Sequence, residues 1–212
     1  EFTPWLNAST GNGGEQFAPV TNDSGGQFGS IQSAVDAAED GDTITAGAGT
    51  YDETVSIDKN VTLAGTGPES TLIRSDGTNV IDIAGADTEV TVENISVETT
   101  GSTVNVIEAQ DTGSLTLSDV SVDGGDRAFA VFADNSSELV VGNSTIENSG
   151  GHGITSTDVA ELEVSNTVIK GTVSTSDSTP GHGIHATVGS GATIKNVTVV
   201  NSSARGIDIA GN

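Results

Sequence analysis

Cysteine and methionine are absent from the 212 residues, and basic side chains are scarce: 6 Lys and Arg stand against 30 Asp and Glu, a formal net charge of −24. Without cysteine there is no disulfide framework, no thiol nucleophile and no thiolate metal site. So strong an excess of carboxylates excludes nucleic acid as a partner, because its phosphates need basic groups to release their counterions. It excludes an anionic membrane surface for the same reason. No apolar run approaches the roughly 20 residues of a membrane-spanning helix, so direct membrane insertion of this segment is not expected. Aromatic residues make up only 3% of the chain and proline occurs four times. The length suits one domain, or a domain with a small appendage. The sequence opens at Glu1 with neither an initiator methionine nor an apolar signal region, and reads as a processed or excised piece.

The acidity carries its own expectation. Crowded carboxylates repel one another and oppose compaction at low ionic strength. At about 1 M salt the screening length falls to about 3 Å and the repulsion is largely removed. Only Lys59, Lys170, Lys195, Arg74, Arg127 and Arg205 break the negative surface. The balance resembles that of secreted or surface proteins from extreme halophiles such as haloarchaea.

What is present is a repeat. Asn79-Val-Ile-Asp-Ile-Ala, Asn105-Val-Ile-Glu-Ala-Gln, Ala128-Phe-Ala-Val-Phe-Ala, His152-Gly-Ile-Thr-Ser-Thr, His182-Gly-Ile-His-Ala-Thr and Arg205-Gly-Ile-Asp-Ile-Ala follow at steps of 26, 23, 24, 30 and 23 residues. Two further alternating pairs follow each start. The first set is Val90/Val92, Leu115/Leu117, Leu139/Val141, Leu162/Val164 and Ala192/Ile194; the second is Ile95/Val97, Val120/Val122, Ser144/Ile146, Thr167/Ile169 and Val197/Val199. Between them one position recurs as Asn94, Asp119, Asn143, Asn166 and Asn196. Period-2 alternation marks half-buried strands, and a repeat of this length marks a solenoid. Three short strands per rung of about 24 residues, with an Asn ladder at one turn, predict an all-β, right-handed parallel β-helix. The ladder amides of Asn94, Asn143 and Asn196 are expected to be buried. Of the Asn-x-Ser/Thr sequons, that leaves Asn7, Asn22, Asn60, Asn135 and Asn201 as the glycosylation candidates.

Ser30 reads as the N-cap of a capping helix within residues 30–40, Ile31 to Glu39, with Gly41 as its stop. Such a helix covers one exposed end of the coil. Residues 1–27 show no periodicity and are expected to form an irregular arm. Its aromatics, Phe2, Trp5 and Phe17, would pack on an outer stripe of Val80, Val106, Phe129 and Val131. The domain proper is then 28–212, and the uncapped C-terminal rung points to a chain that continues or is covered by another. The stretch Ile31-Gln-Ser-Ala-Val-Asp-Ala-Ala-Glu-Asp-Gly-Asp-Thr-Ile, then Gly49-Thr-Tyr-Asp-Glu-Thr-Val-Ser-Ile and Asn60-Val-Thr-Leu-Ala-Gly, resembles the opening of pectate-lyase-like β-helix proteins, pectin methylesterases among them. The resemblance covers residues 28 to about 73. It implies the fold and says little about activity.

Most of the basic and imidazole groups gather at one corner. His152, His182 and Arg205 begin successive rungs; His185 and Asp208 fall one strand step later and face outward. Thr155, Glu108 and Asp82 continue that outward row, and the loop Thr172 to Pro180 overhangs it. These residues with Arg127 are the candidate ligand-binding set. If the protein were an enzyme, His152, His182, His185, Arg205 and Asp208 would be its catalytic candidates. The Gly-His-Gly of 151–153 and 181–183 resembles that of polygalacturonases, but the paired acids such hydrolysis requires are missing: their places hold Arg127-Ala128 and Asn105. The Asp pair and Arg of the methylesterases also have no counterpart past the opening segment. In a polysaccharide lyase, Arg127 or Arg205 would abstract the proton and Ca²⁺ would bind at Asp123 and Asp126. The opposite alternation parity of His182 and His185 argues against a metal, and no cofactor is expected. Phe132 is placed in the core, which leaves few aromatic faces for sugars. The expected function is a non-catalytic extracellular module, structural or adhesive, that meets a glycan or a surface protein, or associates end to end or laterally with itself. The alternative is a polysaccharide lyase or glycoside hydrolase.

Overall fold

The computed structural model describes residues 20–77, 79–101, 105–125, 129–174 and 180–211. Alternating apolar residues drive short strands, left-handed turns bend the chain between them, and the strands stack in parallel into three walls. The first wall comprises Asp42–Thr45, Val61–Ala64, Glu89–Glu93, Ser114–Ser118, Glu138–Gly142 and the second halves of two long strands, Ile154–Ser165 and Ile184–Lys195. The second comprises Gly49–Asp52, Thr71–Ser75, Ser96–Thr99, Ser121–Asp123, Thr145–Glu147, Val168–Lys170 and Thr198–Val200. The third comprises Val55–Ile57, Ile81–Ala84, Asn105–Gln110, Phe129–Asp134, the first halves of the two long strands, and Ile207–Gly211. The coil is a parallel β-solenoid, and its rungs start at Asp42, well before the first repeat visible in the sequence.

Inward residues stack on like residues. Val90, Leu115, Leu139 and Leu162 form one column and Val97, Val122, Ile146 and Ile169 another, all almost wholly removed from water. Where the column meets the turn, small hydroxyls replace apolar groups and satisfy the backbone: Ser144 donates to the Gly142 carbonyl at 2.7 Å and Thr167 to that of Ser165 at 2.8 Å.

The Asn ladder is present, with a different basis from that expected. Asn94, Asp119, Asn143, Asn166 and Asn196 all adopt left-handed backbone, φ between 49° and 56°. Their side chains project away from the coil: Asn94 is half-buried and the other four are exposed. Amides link only part of the row, Asn196 to Asn166 at 2.9 Å and Asn166 to Asn143 at 3.3 Å. Asp119 takes a bond from the Ser118 hydroxyl at 3.0 Å. Asn is placed here for its tolerance of positive φ. Asn143→Gly should therefore be almost neutral while Asn143→Ala loses about 1–2 kcal/mol, measured by chemical denaturation; equal losses would assign the role to the amide. Two more left-handed rows occur, Asp111, Asn135 and Asp158 at the third-to-first turn, and Asn148 and Asn201 at the second-to-third.

The helix runs Ile31–Ala37, capped by Ser30, whose hydroxyl accepts from the Ser33 N–H at 3.1 Å. The Glu53 carboxylate takes the N–H groups of Ile31 and Gln32 at 2.8 and 2.9 Å, pinning the helix to the first rung. The helix ends at Ala38, already extended, before the expected stop at Gly41. Part of the expected irregular arm forms strands: Val20–Asn22 pairs antiparallel with Gln27–Phe28 and with Asp42–Thr45. Residues 1–19, with Phe2, Trp5, Phe17 and Asn7, lie outside the described residues.

One rung of the expected register is shifted. Asn105 pairs with Phe129, not Ala128, and Glu108 pairs with Phe132. Val131 is therefore inward and fully buried, and Phe132 faces out. Val80 and Val106 are also fully buried. Val80 precedes its strand, and Val106 is the second residue of Asn105–Gln110, where three successive buried residues break the alternation, so the expected outer stripe does not exist.

Candidate functional site

The outer face of the third wall carries two parallel rows. The corner row is Asn105, Phe129, His152, His182 and Arg205; the strand row is Asp82, Glu108, Phe132, Thr155, His185 and Asp208. Except for Val131, which Phe132 replaces, the outward row is the one expected from the sequence. Arg127 and Asp126 lie outside the described residues, as do residues 175–179 of the overhanging loop. Asp123 belongs to the second wall, where its carboxylate accepts from the Gly125 N–H and the Asn148 amide at 2.9 and 3.0 Å.

At the C-terminal end the three histidines stack, with ring centroids 5.0 Å apart for His152–His182, 4.7 Å for His152–His185 and 5.4 Å for His182–His185. Phe129 continues the stack, 5.4 Å from His152. The opposite parity of His182 and His185 does not separate them, because His182 precedes its strand and lies at the corner. Two imidazoles are held in one tautomer by the backbone. His152 Nδ1 accepts the His182 N–H at 3.1 Å, and His182 Nδ1 accepts the Arg205 N–H at 3.0 Å. A ring nitrogen that accepts carries no proton, so the proton of each neutral ring is on Nε2.

Asp208 gathers the rest. It pairs with Arg205, lies 3.4 Å from His185 Nδ1 and 3.7 Å from His182 Nε2. The Arg205 hydrogen bond, above all, holds its carboxyl below the usual range, with help from the two imidazoles. Donor atoms of His182, His185 and Asp208 lie within 4.8 Å of one another. A metal-bound histidine normally donates through its second nitrogen. His182 accepts there instead, so a metal on its Nε2 would have to break the bond from Arg205.

His152 has its pKa lowered to about 4 from 6.5, first by burial, then by repulsion from His185 and His182, with Asp208 acting the other way. An unfolded chain takes up this proton near pH 6.5, the folded chain only near 4. The stabilisation is full above 6.5 and lost as pH falls toward 4. His152→Gln should remove this dependence: the difference in melting temperature between wild type and variant is expected to shrink between pH 7 and pH 4. A difference constant over that range would refute it.

The other end of the face is acidic. Asp82 and Glu108 are neighbours on adjacent rungs. Glu108 Oε2 accepts from both Asn79 and Asn105, at 2.7 and 2.9 Å. Burial raises the Asp82 pKa, as does Glu108, while a bond from Asn79 opposes them. Neither asparagine was singled out for this role in the sequence; the signal was the Asn three residues before each outward acid.

Stacked rungs in three parallel walls, one of them with a polar outer face, define a right-handed parallel β-solenoid. A family model described as the right-handed β-helix region matches residues 55–212, and the chain belongs to that family. Among solved structures, a pectin methylesterase in complex with a hexasaccharide is similar, with a TM-score of 0.62 and 13% identity over 84% of this chain and 63% of that one. Pectin methylesterase PemA from Erwinia chrysanthemi gives 0.60 and 13% over 85% and 64%. The enzyme from Yersinia enterocolitica gives 0.53 and 11% over 86% and 94%. The chain spans less than two thirds of the first two structures. At these identities the likeness concerns the fold. No curated protein matches the sequence.

Proposed function

We propose that this chain is a non-catalytic glycan-binding β-helix module of an acidic, salt-adapted extracellular protein, with the saccharide lying along the outer face of the third wall. The observation that carries the reading is the strand row itself: one polar or aromatic side chain per rung from Asp82 to Asp208, with Phe132 half-exposed in its middle. Aromatic faces pack against sugar rings while flanking polar groups read the hydroxyls. His152 and His182, with Nδ1 engaged by the backbone, are fixed donors and not free bases. In molar KCl, titration calorimetry with soluble oligosaccharides is expected to show binding that Phe132→Ala weakens about tenfold. Wild type and variant binding equally would remove the wall as the site.

A second reading, a carbohydrate-active enzyme, rests on one observation: two carboxyls stand on adjacent rungs, Asp82 with its pKa raised by burial and by Glu108, and Glu108 accepting from two amides. Paired carboxyl groups are what acid and base roles in glycoside hydrolysis require. Release of reducing ends or unsaturated products from polysaccharides, abolished by Glu108→Gln, would establish it in place of the first.

A further inference from the structure

We infer that the acidic end of this wall is a subsite for a protonated amino sugar, an inference that rests on the glycan-binding reading. Asp82 and Glu108 put two carboxylates on adjacent rungs, and among the described residues no lysine, arginine or histidine pairs with either. The second observation is Asn105. It is 4% exposed, its amide nitrogen donates to Glu108, and its Oδ1 is buried with no hydrogen-bond partner. An unsatisfied buried acceptor is destabilising, and this one belongs to an amide bonded to Glu108.

The chemistry selects among cations. Glu108 Oε2 already accepts two amide bonds. The acceptors that remain are the Asp82 oxygen not engaged by Asn79, the other Glu108 oxygen and Asn105 Oδ1. Ca²⁺ takes about six to eight oxygen ligands, twice what is offered. A primary ammonium has three N–H donors and no acceptor, which matches three acceptors. The next rung supplies Phe132 directly beside Glu108, with Phe129 at 6.3 Å between ring centroids. An aromatic face both attracts a cation and covers the apolar side of the ring that bears it. A uronate would meet like charge here, so an amino sugar is favoured over an acidic one.

The test compares three oligosaccharides of equal length in molar KCl at pH 6: glucosamine oligomers, their N-acetylated forms, and galacturonate oligomers. Calorimetry is expected to rank glucosamine about tenfold above the N-acetyl form, with galacturonate weakest. Asp82→Asn and Glu108→Gln should each erase the preference, bringing the amino and N-acetyl forms to equal affinity, and an unchanged circular dichroism spectrum shows that each folds. Equal affinity for the amino and N-acetyl forms would overturn the subsite while leaving the glycan-binding wall intact. No binding by any oligomer would overturn both. Ca²⁺ binding that Glu108→Gln removes and glucosamine does not displace would overturn the subsite in favour of a metal.

Discussion

Transferred from molar KCl to a buffer without added salt, the protein is expected to lose most of its β-sheet circular dichroism, and to regain it when salt is restored. The cause is the formal charge of −24 on 212 residues. The interior columns are ordinary Val, Leu and Ile, so the acidic groups are confined to turns and outer faces, where they repel one another through solvent. Compensation is sparse: among the described residues, ion pairs with Lys or Arg join only Arg74 to Asp52, Lys170 to Glu147 and Arg205 to Asp208. The Debye length is about 30 Å at 0.01 M salt and about 3 Å at 1 M. Adjacent rungs, about 4.8 Å apart, therefore feel one another's charge fully in the first case and weakly in the second. A melting temperature independent of salt from millimolar to molar would remove the basis for salt adaptation.

Gly153→Ala is expected to cost about 1–3 kcal/mol, toward the upper end, through overpacking. A methyl group at this position would come within 2.6 Å of Ile169 Cγ2 and 2.7 Å of the Gly183 carbonyl oxygen. That oxygen cannot retreat without loss, since it accepts the Ile154 N–H at 2.9 Å. Gly183→Ala faces the same difficulty one rung on, at 2.4 Å from Val199 Cγ1 and 2.5 Å from the Gly206 oxygen. Gly191→Ala is the control, because nothing lies within 4 Å of its added carbon. Denaturation midpoints should drop for the first two and stay for the third. If Gly153→Ala matched the control, close packing would not explain the Gly-His-Gly repeat. On this account the second glycine of each motif is there because the corner is tight, and no catalytic role need be invoked for it.

From Glu89 onward the sequence showed the first and second walls, while their strands in the two earlier rungs, from Asp42, were not read as repeats. There each strand alternates apolar with polar residues, so parity fixes which side is buried: Leu115/Leu117 and Val120/Val122 left no choice. The third wall was harder. Ala128-Phe-Ala-Val-Phe-Ala is apolar at both parities, and a one-residue slip exchanges the two faces. The shift placed Val131 outside and Phe132 inside, and so hid the aromatic center of the proposed binding face. Corner positions escaped for a related reason. Val80 and His182 precede their strands, and Val106 lies in a strand start with three successive buried residues, so alternation does not set these side chains. The histidine cluster was visible as a neighbourhood, but the bonds that fix its tautomers come from the next rung's backbone. The pairing of Asn79 and Asn105 with Glu108 likewise needs neighbouring rungs in contact.

The left-handed asparagine edge has a further consequence. Because its side chains point away from the coil, the sequons at Asn143 and Asn196 are exposed and that at Asn94 is half-buried, none of them inside. Asp119 and Asn166, which occupy the intervening rungs, belong to no sequon. The three acceptor sites thus fall on every second rung, about 10 Å apart along one straight edge. A glycosylating enzyme would meet a comb with evenly spaced teeth, wide enough for each chain to be attached without crowding the next, on the edge between the first and second walls and away from the face proposed to bind sugar.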